Sequence, residues 1–270
     1  MSAIDELFTR LRSENRKALM PFVTAGDPDL DFTAAVIKEL VAQGASICEI
    51  GIPYSDPIAD GPVIQESYTR ALDNHVKLAN ILNTLGNITS GNVAPQLAAP
   101  LVTMVSYAII YRHGIEKYAE ELVKQGVAGM IVPDLPLEES PQLAKVCQAR
   151  DLSLIQLVTP TTPRNRALKI AETSSGFLYY VSVAGITGER TELPPELVER
   201  VNWLREKTPL PVCIGFGISQ PEHVRMLSPV ADGLIVGSAI VRRMAKAKED
   251  PAATLREIGE YVATLVAELM

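Results

Sequence analysis

The stretch CEIGIPYSDPIADG, Cys48 to Gly61, holds three carboxylates: Glu49, Asp56 and Asp60. Glu49 interrupts an apolar run near its end. Asp56 and Asp60 follow on a segment broken by Pro53, Pro57 and Gly61. A carboxylate at the end of a buried strand is partly desolvated, which raises its pKa. That tuning suits a general acid/base near neutral pH. A carboxylate paired with an arginine, or held by backbone amides, fits the same position equally well. Asp60 precedes the helical pattern PVIQESYTRAL, where an acid also favours the helix dipole, and Asp56-Pro57 reads equally as a turn.

These residues need elements to position them. Short β-rich apolar runs recur at Ala18–Thr24, Ser46–Ile50, Leu101–Val105, Gly129–Pro133, Leu152–Val158, Phe177–Val181, Pro211–Gly215 and Gly233–Gly237. Continuous runs of this kind suit strands buried on both faces of a parallel sheet. Helical patterns lie between them, among them DFTAAVIKELVAQG, GIEKYAEELVKQG, LEESPQLAKVCQARD and PPELVERVNWLREK. Gly44 and Gly126 stand where helices need a left-handed cap. LVAQGASICEIGIP echoes LVKQGVAGMIVPDLP, the same helix–glycine–strand unit twice. Eight strands alternating with helices predict a (β/α)8 TIM barrel, with residues 1–270 as one domain. A doubly wound open sheet is the alternative, but it seldom has eight such even units. Ile4, Leu7, Phe8 and Leu11 form an amphipathic stripe that predicts an additional N-terminal helix.

In such a barrel the chemistry belongs where strands end. Those positions carry Thr24 to Asp27, Glu49 with its acidic loop, Ser106-Tyr107, Asp134 and Thr159 to Thr162. Further on come SVAGITGER (Ser182–Arg190), Phe216 to Ser219 and Gly237-Ser238. No lysine occupies a mouth, so a Schiff-base aldolase is a poor reading. His75, His113 and His223 are scattered, and no metal cluster is visible. The last three mouths share glycine-rich backbone, GITG, GFGIS and VGSA, with helices beginning after the last two. Backbone N–H groups and a helix start make an anion site without lysine or arginine, and the loops after strands seven and eight often hold a phosphate. Tight turns alone are the competing role of these glycines.

Composition narrows the class. The chain has 270 residues, 47% hydrophobic, enough for one large core, and a net charge of −7. The acidic balance argues against a nucleic-acid or anionic-membrane surface. Cys48, Cys147 and Cys213 lie far apart, and the first residues carry acids and no apolar signal segment; both predict a cytoplasmic protein with reduced thiols. The longest apolar stretch, Val93 to Ile110, is divided by Pro95 and Pro100. It predicts a loop feeding a buried strand rather than a membrane span.

EIGIPYSDPIADGPVIQ closely resembles the signature of the tryptophan synthase α subunit family. PFVTAGDP (Pro21–Pro28), VPDLPLEE (Val132–Glu139), YYVSVAGITG (Tyr179–Gly188), GFGIS (Gly215–Ser219) and VGSAIV (Val236–Val241) resemble its other landmarks in order, over nearly the whole chain. The resemblance implies retro-aldol cleavage of indole-3-glycerol phosphate to indole and glyceraldehyde 3-phosphate. Glu49 then matches the general acid/base and Asp60 the second catalytic carboxylate. Gly188, Gly217, Gly237 and Ser238 match phosphate-contacting positions, and Phe22, Tyr179 and Phe216 match residues around the substrate. Pro53 and Asp56 match the loop that couples to a partner, the β subunit, in an α2β2 heterotetramer. No cofactor is expected in this chain; pyridoxal phosphate belongs to that partner. Cys48, Val183 and the Ser106-Tyr107-Ala108 run depart from common family patterns. Other readings on the same barrel are a stand-alone indole-releasing lyase and a non-catalytic subunit.

Overall fold

The eight apolar runs close on themselves in chain order. The computed structural model describes residues 1–58, 60–90, 97–181, 193–215 and 217–269. Its strands are β1 (Ala18–Thr24), β2 (Cys48–Gly51), β3 (Leu101–Met104) and β4 (Gly129–Ile131), then β5 (Ser153–Val158), β6 (Leu178–Val181), β7 (Val212–Gly215) and β8 (Gly233–Val236). Each pairs in parallel with the next, and β8 returns to β1, so the sheet is a closed TIM barrel. All seven residues of β1 are buried, as a strand covered on both faces requires. The ends are shorter than the apolar runs. β4 stops before Pro133, which has no N–H to give a ladder.

Around the barrel lie α1 (Ala3–Ser13), α2 (Leu30–Ala42), α3 (Pro62–Asp73), α4 (Leu78–Thr89), α5 (Tyr107–His113) and α6 (Ile115–Lys124). They continue with α7 (Ser140–Gln148), α8 (Arg164–Glu172), α9 (Pro195–Lys207), α10 (Pro221–Leu227), α11 (Ser238–Met244) and α12 (Pro251–Ala267). Gly44 and Gly126, just past α2 and α6, take positive φ of 98° and 66°, as their capping role requires. Residues Leu97–Pro100 lead into β3, as expected of a loop feeding a strand, and the end of that apolar stretch, from Tyr107, begins α5.

The N-terminal helix has a specific task. Ser2 accepts from Asp5 N at 3.2 Å while Asp5 accepts from Ser2 N at 3.0 Å, a reciprocal capping box. The stripe Ile4, Leu7, Phe8 and Leu11 is buried in one cluster with Ala18, Met20, Ile47, Val102 and Phe177, so α1 plugs the floor of the barrel. Side chains on the outer face of the strands join those of the surrounding helices in a second, larger cluster. The floor is sealed, and the mouth is left for chemistry.

Candidate active site

Glu49 is aligned with Phe22 on β1 and Val102 on β3. Partners across a parallel ladder point to one face, and Val102 belongs to the interior cluster, so Glu49 faces into the barrel. It is fully buried, and neither carboxyl oxygen has a hydrogen-bond partner among the described residues. The arginine or amide partner that strand-end position alone allows is therefore not found among them. Burial pushes its pKa well above the ordinary carboxylate range. Burial thus favours the protonated form of Glu49.

Asp60 sits on the loop between β2 and α3. Its N–H donates to the Pro57 carbonyl at 3.1 Å, and its own carbonyl accepts from Gln65 Nε2 at 2.8 Å. The cap of α3 is Gly61, with no side-chain hydrogen bond, so Asp60 does not serve as the helix cap. Its half-buried carboxyl is pushed up to about 6, first by burial and then by the charge of Asp134. Tyr179, inward on β6, has its phenol raised by burial and further by the carboxylates of Glu49 and Asp60. Tyr179 therefore lies within electrostatic reach of both acids.

Small residues make room for the large ones. A methyl group at Gly215 would collide with the Tyr179 ring. One at Gly51 would strike Phe22 and lie 2.8 Å from the Tyr68 hydroxyl. Tyr68 in turn packs on Tyr54 with ring centroids 5.7 Å apart. The Tyr54 phenol is pushed up to about 12 by burial, then by Asp60, Asp134 and Asp56. Sequence reasoning assigned no packing role to Gly51, Gly215, Tyr54 or Tyr68. A glycine beside an aromatic at a strand end was the available signal.

Side-chain hydrogen bonds fix the rim. Asp134 accepts from Ser106 Oγ at 2.6 Å and from Tyr107 N at 2.7 Å, which gives the Ser106-Tyr107 departure a structural task. Asp27, 1% exposed, is gripped by Arg70 through Nε at 3.0 Å and Nη2 at 2.7 Å. Thr24 and Ser67 share a hydrogen bond of 2.6 Å. The last two contacts tie the end of β1 to α3 and so anchor the far side of the Asp60 loop. Cys48 is buried in the outer cluster, its thiol pushed up by burial, and acts as a small apolar residue.

The glycine segments differ from one another. Gly217 has φ of 70°, a conformation that itself asks for glycine. Gly237 has φ of −104°, and a methyl there would meet only Phe22, at 3.8 Å. Neither backbone nor packing requires glycine at position 237, and Ser238 follows as the first residue of α11. Gly188, Phe216 and Val183 lie outside the described residues.

Pro53 is buried and lines a cleft of about 360 Å³ with Val76, Leu78, Ile81 and Ile109. Asp56 is exposed and accepts from Ser55 Oγ at 2.6 Å. Nearby on the same loop Ile58 is 90% exposed. The histidines at positions 113 and 223 have ordinary partners: His113 pairs with Glu121 at 2.9 Å, and His223 Nδ1 accepts from Ser219 N at 3.3 Å. Among the described residues, no group of three or more His, Cys, Asp or Glu could hold a metal, and no helix is long and apolar enough to cross a membrane.

Comparison with known proteins gives one consistent result. Residues 8–269 match the family described as tryptophan synthase alpha chain. The tryptophan synthase alpha chain of Rhodopirellula baltica is 57% identical over 274 residues, covering 98% of each chain. The solved alpha subunit from Legionella pneumophila superposes with a TM-score of 0.89 at 33% identity, covering 100% of this chain and 98% of that one. A chain of aminoacrylate-bound tryptophan synthase from M. tuberculosis superposes with a TM-score of 0.86 at 28% identity, covering 100% of both.

Proposed function

We propose, from the premise that the chain belongs to the tryptophan synthase alpha chain family, that its mouth residues divide the lyase reaction as follows. The reaction is the cleavage of indole-3-glycerol phosphate to indole and glyceraldehyde 3-phosphate, in tryptophan biosynthesis. Glu49 is the general acid/base. In its protonated form it gives its proton to ring carbon 3 of the indole. The carboxylate so formed takes the proton of the side-chain hydroxyl as the carbon–carbon bond breaks. The electron pair of that bond returns to the ring, the hydroxyl carbon becomes the aldehyde, and Glu49 ends as it began. Its burial without a partner is the observation that carries this reading, because burial favours the proton-holding form of a carboxyl that nothing else engages.

Protonation at carbon 3 leaves positive charge on the indole. Asp60 offsets that charge at the ring N–H, a role supported by its half-buried place beside the same space. Phe22, Tyr179 and Phe216 flank the ring. Gly188, Gly217, Gly237 and Ser238 receive the phosphate through backbone N–H groups and the serine hydroxyl, and the free space at Gly237 favours this. Pro53 and Asp56 couple the site to a β subunit that carries pyridoxal phosphate, in an α2β2 assembly, and this chain needs no cofactor of its own. Residues 1–270 act as one domain, and the protein works in the cytoplasm.

The test is indole release by the purified chain, alone and with β subunit added. Slow release alone and markedly faster release with β is expected. Full activity alone would favour a stand-alone lyase, and none in either case a non-catalytic subunit.

A further inference from the structure

The segment after β7 is braced by a distant helix. The Ser219 carbonyl accepts a hydrogen bond of 3.1 Å from the hydroxyl of Tyr261, on α12. The same segment is fixed by Ser219 N donating to His223 and by Ile218, buried in the outer cluster. The Tyr261 ring is covered in turn: the Arg243 guanidinium carbon lies 3.6 Å from its centroid. Arg243 stands in the last turn of α11 and donates from Nη1 to the Ala239 carbonyl at 2.7 Å. Its Nε is buried, has no hydrogen-bond partner among the described residues, and lies 3.6 Å from the Glu257 carboxylate, an ion pair that also holds this pose. One line of contacts therefore runs from Ala239 through Arg243 and Tyr261 to Ser219. It joins the segment after β8 to the segment after β7.

We propose that Tyr261, steadied by Arg243, is a positioning residue that sets the spacing between Gly217–Ser219 and Gly237-Ser238 and thereby the affinity for the substrate's phosphate. The proposal rests on the assignment of phosphate to those two segments. No lysine lies at a mouth to hold the anion by charge at variable distance. In that assignment backbone N–H groups and the Ser238 hydroxyl hold it, and hydrogen bonds weaken steeply away from their narrow range of length and angle. A guanidinium stacked on the ring restrains it, so the hydroxyl has a defined direction. A brace between the two donor segments then matters for binding and little for the bond-breaking step.

Tyr261→Phe tests this, since it keeps the ring and the stacked arginine and removes only the hydroxyl. Loss of one such hydrogen bond should raise the KM for indole-3-glycerol phosphate, and the Kd for glycerol 3-phosphate by calorimetry, about five-fold. The kcat and the melting temperature should stay close to wild type. Arg243→Met should shift both binding constants in the same direction by less. Unchanged glycerol phosphate affinity in Tyr261→Phe would overturn the proposal. So would a joint fall of kcat, affinity and melting temperature, the mark of a merely structural role. Gly237→Val separates the two readings: if it leaves glycerol phosphate binding intact, the phosphate assignment itself fails. If it weakens binding while Tyr261→Phe does not, only the role of Tyr261 fails.

Discussion

At the floor of the barrel Asp232 is 7% exposed, accepts from Val212 N at 2.9 Å and from Arg205 Nη2 at 3.3 Å, and lies 3.7 Å from Arg12 of α1. At the mouth Glu49 is fully buried and accepts from nothing among the described residues. Both are carboxyls set at the ends of strands in the same sheet. A buried polar group without a partner costs about 1–3 kcal/mol, and one that is paired avoids most of that. The floor therefore uses its acid to hold the plug helix, and the mouth tolerates a cost that the proposed role of Glu49 explains, since an unsatisfied carboxyl is free to move protons. In a barrel, stability concentrates at the bottom and reactivity at the top.

The contrast breaks most sharply at Glu49→Gln. The amide keeps the shape and loses the proton, so turnover should fall by about 10²–10⁴-fold while substrate still binds. Retention of more than about a tenth of wild-type kcat would eliminate Glu49 as the acid/base. The same variant reads the stability side. Folding raises the pKa of Glu49, so the folded state prefers the proton. Wild-type stability should then decline as pH rises from the unfolded carboxylate value, near 4.3, toward the folded one. Glutamine has no such decline. The melting temperature of the variant minus that of wild type should grow with pH across that window, and a pH-independent difference would count against a buried neutral glutamic acid.

Asp60→Asn comes next. Asparagine hydrogen-bonds but cannot offset a cation, and losing such stabilisation costs roughly 10²–10³-fold in kcat, about 3–4 kcal/mol. In the proposed role the carboxylate is the working form, and its pKa is pushed up to about 6, so wild-type kcat should drop as pH falls through that value. The variant should lack that limb. A large rise in KM with unchanged kcat would make Asp60 a binding residue instead.

How much of this was legible in the sequence follows from the same contrast. Eight strands, the plug helix and its stripe of Ile4, Leu7, Phe8 and Leu11 are burial patterns, and burial is what hydrophobic periodicity records. Glu49 was legible because a charge inside an apolar run is an anomaly. The pairing of Asp134 with Ser106 and Tyr107, and of Asp27 with Arg70, was not. Those contacts join residues 28 and 43 positions apart, across loops whose paths no local propensity sets. Gly51 and Gly215 were passed over for a related reason. The volume they leave has meaning only once Phe22, Tyr68 and Tyr179 are placed around it. Asp60 illustrates the middle case: its position before Gly61 allowed an interaction with the helix dipole, and only the structure shows that Gly61 is the cap and that Asp60 feels the charge of Asp134.

The floor supplies the converse substitution. Asp232→Ala should leave the Val212 N–H and the Arg205 side chain without their acceptor, lowering stability by about 1–3 kcal/mol. The kcat and KM of the surviving folded enzyme should not change. Denaturant unfolding beside steady-state kinetics checks both halves. A catalytic defect comparable to that of Asp60→Asn would mean that the two ends are not separable.

The smallest expected effect sharpens the comparison within the mouth itself, between the buried acid and the exposed one. Asp56 is exposed and accepts a hydrogen bond from the neighbouring Ser55 hydroxyl, so its removal disturbs no core. It lies four positions from Asp60 on the same loop, which continues through the 90% exposed Ile58. On the proposed coupling, a partner docking on this loop would shift the Asp60 carboxylate, and about 1.4 kcal/mol of barrier is a tenfold change in rate. A single exposed charge contributes about 0.2–1 kcal/mol to such a contact. Asp56→Ala should therefore weaken activation by β subunit by no more than about five-fold and lower the rate of the isolated chain less than that. Indole production across a β-subunit titration measures both quantities on one curve. Undiminished activation would take Asp56 out of the coupling, leaving the buried Pro53 and its cleft as the contact through which docking reaches Asp60.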